Sequence, residues 1–198
     1  MTTAWFVDAG YALKAWNSIS GGARMDYGLL RQRIETAAGE PIGDAYYFNA
    51  SSDQTSAAQN SFHNFLRSPP PRGPGMRVKL YWLNTIHHDW PRHMGGGPIL
   101  HPTSGDQYIT KMQKAVDVGL AFHLMRSFSK VRWTKLYLMS GDGDFHEVVQ
   151  HLVENESVHV TIIGTPATIS GEIAPYVSIM NLAEYRDELI LNSAPSSD

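Results

Sequence analysis

Short apolar runs alternate along this chain with stretches in which apolar residues recur every three or four positions. Runs of the first kind read as strands and stretches of the second as amphipathic helices. Ala4–Asp8 is a buried first strand that ends in an acid. Asp26–Ala38 reads as a helix, with Leu29, Leu30, Ile34 and Ala38 at helical spacing, Asp26 as its N-cap and Gly39 as its stop. Asp44–Asn49 is an aromatic strand whose Tyr46, Tyr47 and Phe48 belong to the core. Gln54–Leu66 is a helix packed through Phe62, Phe65 and Leu66. The proline- and glycine-rich segment Ser68–Gly75 makes a stiff connection. Met76–Leu83 is a third strand. Residues 84–108 hold three prolines, Gly95-Gly96-Gly97 and four histidines, and read as a long irregular excursion. Ile109–Lys130 is a long helix with Met112, Val116, Leu120, Ala121, Leu124 and Phe128 on one side. Lys135–Ser140 is a strand, Phe145–Asn155 a helix and Val158–Gly164 a strongly β-branched strand. A turn at Ile169–Pro175, a short strand at Val177–Met180 and a last helix at Leu182–Leu191 complete the pattern.

Strands separated by helices predict an α/β fold, with a mainly parallel sheet between two layers of helices. With 198 residues, 42% of them hydrophobic, the expectation is one domain over 1–191, followed by a polar tail at 192–198. The net charge of −3 argues against a protein that coats DNA through clustered cations. The absence of cysteine excludes disulfides, zinc fingers, iron–sulfur clusters and a cysteine nucleophile. Neither a secretory signal nor a long apolar span is visible, so the expected location is the cytoplasm, away from membranes.

In a parallel sheet with helices on both faces, polar sites gather beyond the carboxyl ends of the strands. Two strands here end in acids. Asp8 closes the first, and Gly141-Asp-Gly-Asp144 follows the Lys135–Ser140 strand. Taken alone, an Asp-x-Asp after a strand is also ordinary turn and N-cap chemistry, with Asp144 as the cap of the next helix. Asp117 lies between the core-facing positions Val116 and Leu120, at the edge of an apolar stripe. By itself it reads more readily as a solvated helix residue than as one directed into a polar pocket. Brought together, Asp8, Asp117, Asp142 and Asp144 would repel one another unless a cation joined them. Mg²⁺ or Mn²⁺, which take oxygen ligands, suit such a group. Ions of that kind activate water and stabilise charge on a phosphoryl group, which points to phosphodiester hydrolysis.

Three blocks, Trp5-Phe-Val-Asp-Ala-Gly-Tyr-Ala-Leu13, Lys114-Ala-Val-Asp-Val-Gly-Leu-Ala121 and Leu138-Met-Ser-Gly-Asp-Gly-Asp-Phe145, resemble the NYN domain family of PIN-like nucleases. The likeness runs over roughly residues 4–182. Ser-Gly-Asp-x-Asp-Phe is its most specific piece. The resemblance implies a three-layer PIN-like α/β/α sandwich and Mg²⁺- or Mn²⁺-dependent cleavage of RNA, with Asp8, Asp117, Asp142 and Asp144 in the positions of the family's acidic site. It also leaves a homodimer open. Many members carry asparagine three residues after the first aspartate; this chain has Tyr11, in an Asp-Ala-Gly-Tyr subgroup.

Other residues follow from these. Lys114 stands one helical turn before Asp117, where it holds a substrate phosphate, orients Asp117 or makes a surface salt bridge; Lys111 is a weaker substrate contact, Ser140 a contact to phosphate, a support for the metal ligands or a plain strand-end hydroxyl, and Tyr11 is counted with the substrate-binding residues. Glu147 and His146 read as solvated positions on a helix. His87, His88, His93 and His101 match no standard zinc spacing. With Trp90 and Arg92 they could meet nucleic acid, by stacking and by phosphate contact. A loop with no substrate role is the alternative there. For the whole chain, the alternative is a non-catalytic PIN-like module that binds RNA or protein. Topoisomerase–primase-type and aspartyl-phosphatase sites are disfavoured: the first needs a glutamate where Asp8 stands, the second both aspartates on the first strand.

Overall fold

The computed structural model describes residues 2–51, 55–112 and 115–191, with backbone only at Lys111 and Met112. Its centre is β1 (Thr3–Asp8), buried at every position. In a strand buried on both faces, successive side chains feed two different cores. Trp5 and Val7 point to one face. There they meet Ala12, Ala15 and Trp16 of α1 (Ala9–Ser20), Leu30 and Ile34 of α2 (Tyr27–Ala38), and Leu66 of α3 (Ala57–Arg67). Ala4 and Phe6 point to the other face. There they meet Val116, Leu120, Leu124 and Phe128 of α4 (Val116–Val131), and Val149 and Leu152 of α5 (His146–Glu154). The result is three layers.

Six strands make the sheet: β2 (Ile42–Ser51), β3 (Arg77–Trp82), β6 (Lys135–Met139), β7 (His159–Gly164) and β8 (Ser178–Asn181) join β1 in the order β3-β2-β1-β6-β7-β8. Every neighbouring pair is parallel. All the carboxyl ends therefore lie along one edge. The last helix, α6 (Arg186–Leu189), is a single turn preceded by a 3₁₀ turn at Leu182–Tyr185, shorter than the pattern predicts. No helix among the described residues is long and apolar enough to cross a membrane.

Helix α2 begins and ends as its sequence predicts. The Asp26 carboxylate accepts from the Gly28 and Leu29 amides at 2.8 and 3.0 Å, and Gly39 closes the helix at φ 71°. Two elements differ from the pattern. Helix α1 has no counterpart among the expected elements. The excursion after β3 is also not irregular. It is an arm built on β4 (Asn84–His87) and β5 (Ile109–Met112), paired antiparallel from Asn84↔Met112 to His87↔Ile109. Beyond the strands, backbone bonds such as His88 N to Tyr108 O (3.1 Å), Trp90 N to Gly97 O (2.8 Å) and His101 N to Asp106 O (2.8 Å) carry the pairing toward the tip. Ile109 and Met112 fit the helical spacing of Val116 and Leu120, so the pattern merges them with the helix. The β-branched Ile109-Thr110 pair instead finds its backbone partners across the arm. Ala115, in the left-handed region at φ 67°, turns the chain from the arm into α4.

Candidate active site

Asp8 is the last residue of β1 and the N-cap of α1. Its Oδ1 accepts from the amides of Gly10 (2.8 Å) and Tyr11 (3.4 Å), and the residue is only 8% exposed. The cap satisfies two of the free amides at the helix start and holds the carboxylate at the sheet edge. The β1–β6 register runs to Val7↔Met139, so the next position along sets Asp8 beside Ser140. Ser140 is fully buried, and its Oγ has no hydrogen-bond partner. Past Ser140 the chain turns sharply. Asp142 accepts from the Asp144 amide at 3.2 Å and caps the 3₁₀ turn Gly143–Phe145, a role the sequence reading gave to Asp144. Both of these aspartates are exposed. Asp117, half-buried, falls in the first turn of α4, where the helix dipole favours a negative charge.

The acids feel one another. Burial raises the Asp8 carboxyl above its ordinary range; the Gly10 and Tyr11 amides oppose this, and the charges of Asp117 and Asp142 add to it. Burial also raises Asp117, with Asp142 as the next cause and Asp144 a smaller one. Four carboxylates from three separate elements thus share one field. As donors they are all hard oxygens, and their mutual repulsion is what a divalent cation would relieve, so the chemistry of the set fits Mg²⁺ or Mn²⁺. As the side chains stand, no three His, Asp or Glu residues among those described form a group that could hold a metal ion.

Tyr11 lies beside these acids but is already engaged. Its hydroxyl is 2.8 Å from Thr168 Oγ1, and its ring lies over Gly141 and Gly164 at the ends of β6 and β7. This makes it a brace between α1 and the sheet edge. A Cβ on Gly141 would meet the Thr168 carbonyl at 2.6 Å and the Tyr11 ring at 2.8 Å. Gly141→Ala is therefore expected to destabilise the fold by about 1–3 kcal/mol, the usual cost of overpacking. Urea denaturation measures this, and an unchanged midpoint would mean that the cradle is not tight.

Glu172 was not singled out from sequence. A Cβ on Gly143 would lie 2.5 Å from its carboxylate and 3.0 Å from Ser170 Oγ, which puts a fifth acid beside the Asp142–Asp144 turn. Nothing local marks it, because the contact depends on the turn after β7 folding back through the bond from Ser170 N to Gly141 O (2.8 Å). Glu147 is exposed, and the His146 ring lies 5.5 Å from Tyr176. Lys114 lies outside the described residues, and so does the side chain of Lys111. His123, packed against Tyr46 and Phe48 at 5.8 and 5.7 Å, is lowered by burial and by the charges of Lys79 and Arg126.

The molecule is thus a three-layer α/β protein with acids along the carboxyl edge of a parallel sheet. Residues 2–179 match the NYN domain, and the chain belongs to that family. No curated protein matches it. Among solved structures it is similar to a protein of unknown function, VPA0982 from Vibrio parahaemolyticus RIMD 2210633, at 17% identity over 96% of each chain, with a TM-score of 0.59. That likeness shows the shared fold.

Proposed function

We propose that this chain is a metal-dependent ribonuclease, with Asp8, Asp117, Asp142 and Asp144 as the residues that hold Mg²⁺ or Mn²⁺. The observation that carries the reading is the convergence of these acids: Asp8 and Asp117 are raised by burial first and then by the charges of the other acids, and none of the four has an ion pair among the described residues. The family, whose members are in general nucleases, points the same way. A divalent ion bound there would supply an activated water and charge stabilisation at phosphorus.

The chain's own residues have distinct parts in this reading. Asp8 is fixed by two backbone amides and sets the reference point of the site. Asp117 is offered by a helix start. Asp142 and Asp144 are exposed on a glycine-containing turn, open to an ion from solvent. Ser140 presents a buried hydroxyl with an unused donor beside Asp8. No side chain has to act as the nucleophile.

The test is cleavage of labelled single-stranded and structured RNA, with DNA alongside, in Mn²⁺, Mg²⁺ or EDTA. We expect cleavage only with metal, and a loss of about tenfold or more in Asp142→Asn, the range seen when a metal-site partner is removed. Metal-independent cleavage, or an undiminished Asp142→Asn variant, would refute the assignment. RNA binding with no cleavage under any condition would favour the non-catalytic module.

A further inference from the structure

The arm springs from the carboxyl edge of the sheet. One of its roots follows Trp82, at the carboxyl end of β3; the other leads through Ala115 into the helix turn that carries Asp117. None of residues 84–110 is buried. A two-stranded hairpin with so little support from the body of a protein is marginal by itself, yet this one carries costly exposed surface: Trp90 is 49% exposed and Tyr108 45%. The Trp90 backbone and the Tyr108 ring are held in place. The Trp90 amide bonds to Gly97 O, and the Tyr108 ring lies 5.1 Å from His88, whose Nε2 is 2.8 Å from Thr110 Oγ1.

The charges near these rings suit a polyanion. Arg92 is exposed on the 3₁₀ turn at the tip and has no acidic partner among the described residues. One of the arm's two acids, Asp89, is occupied by Gln107 Nε2 at 3.0 Å. Flat rings with polar rims and an unpaired guanidinium, on an arm rooted at the carboxyl edge of the sheet, together match unpaired nucleobases with their phosphates. They do not match a duplex, whose bases are already stacked inside.

We propose that the arm is a stacking platform for single-stranded RNA, with Trp90 and Tyr108 taking bases and Arg92 a phosphate, and that it makes this chain select unpaired strands. The proposal rests on the ribonuclease reading for its choice of RNA, but its test does not need cleavage. Fluorescence anisotropy in EDTA would compare a labelled single-stranded oligoribonucleotide with the matching perfect duplex on the full chain. The wild type is expected to prefer the single strand. Trp90→Ala should weaken single-strand binding about five- to a hundredfold, Trp90→Phe should recover most of it, and duplex binding should stay unchanged in both. Tyr108→Ala is expected to act in the same direction.

Equal affinity of wild type and both alanine variants for the single strand would overturn the platform, as would equal losses on single strand and duplex. A change of oligomeric state in Trp90→Ala without a change in RNA affinity would also overturn it, by assigning the rings to contact with a second copy. The two readings fail separately. Trp90-dependent binding by a chain that cuts nothing in Mn²⁺ keeps the platform and removes the nuclease, whereas metal-dependent cutting with Trp90→Ala binding normally does the reverse.

Discussion

An Asp8→Asn chain is expected to fold at least as well as the wild type while cutting RNA a hundredfold or more slowly. The two effects have one cause. Asparagine caps a helix as well as aspartate does, so the bonds from the Gly10 and Tyr11 amides survive. What disappears is a nearly buried negative charge set among other negative charges, which the fold tolerates poorly and a metal ion would need. Loss of lesser partners of a metal already costs about 10–100-fold, and Asp8 is the most firmly held acid of the site. The pH dependence has a definite sign. A carboxyl raised above its unfolded value stabilises the folded state only while protonated. That contribution is complete below the unfolded value of about 3.9 and lost as pH rises through the folded one. Without divalent ions, the wild type should therefore lose stability as pH rises from roughly 4 toward neutrality, through Asp8 and, in the same direction, Asp117. Thermal melts across that range should show a shallower decline for Asp8→Asn. Parallel curves for the two chains would mean that the buried carboxylate carries no penalty.

Phe6→Ala is expected to cost about 3–5 kcal/mol, as aromatic deletions in closed cores do. Phe6 is fully buried on the central strand, with ring centroids 4.8 Å from Tyr46 and 6.1 Å from Phe48. No flexible neighbour is at hand to fill the gap, because the same face is packed by Leu120 and Leu124 from α4. Against a usual total of about 5–15 kcal/mol, such a loss leaves the domain on the margin of folding. Urea titration would measure it, with Leu13→Ala, on the exposed side of α1, as the control expected within about 0.5 kcal/mol of the wild type. A loss below about 1 kcal/mol at Phe6 would contradict its place in a closed core.

What could be read from the sequence was whatever chemistry keeps local. Asp26 and Gly39 announce both ends of α2, and the β-branched run before Gly164 announces β7. Asp8 and Asp142 were visible as candidates because an acid at the end of an apolar strand is conspicuous. Helix α1 was not visible, since its buried stripe is mostly alanine (Ala9, Ala12 and Ala15, with Trp16), which hardly registers as a hydrophobic period. The same Asp8 that drew notice as an acid is also its cap, and that second role becomes apparent only when the helix is seen. The arm was misread because helical spacing and strand pairing are both compatible with Ile109 and Met112, and the choice depends on partners more than twenty residues upstream. Glu172 and the brace made by Tyr11 depend on contacts across the sheet edge, which no window of sequence contains.

The strand order has a consequence for the birth of the molecule. β1 leaves the ribosome first and finds β2 within about fifty residues, but its other neighbour, β6, ends only at Met139. At common rates of synthesis, roughly 4–18 s separate the two. Through that interval a strand destined to be buried at every position has one edge open, in a half-sheet of three strands, and an open apolar edge is an invitation to pair with another nascent chain. The most dangerous moment for this fold therefore comes before its cluster of acids can assemble, because Asp142 and Asp144 directly follow the strand that closes the gap.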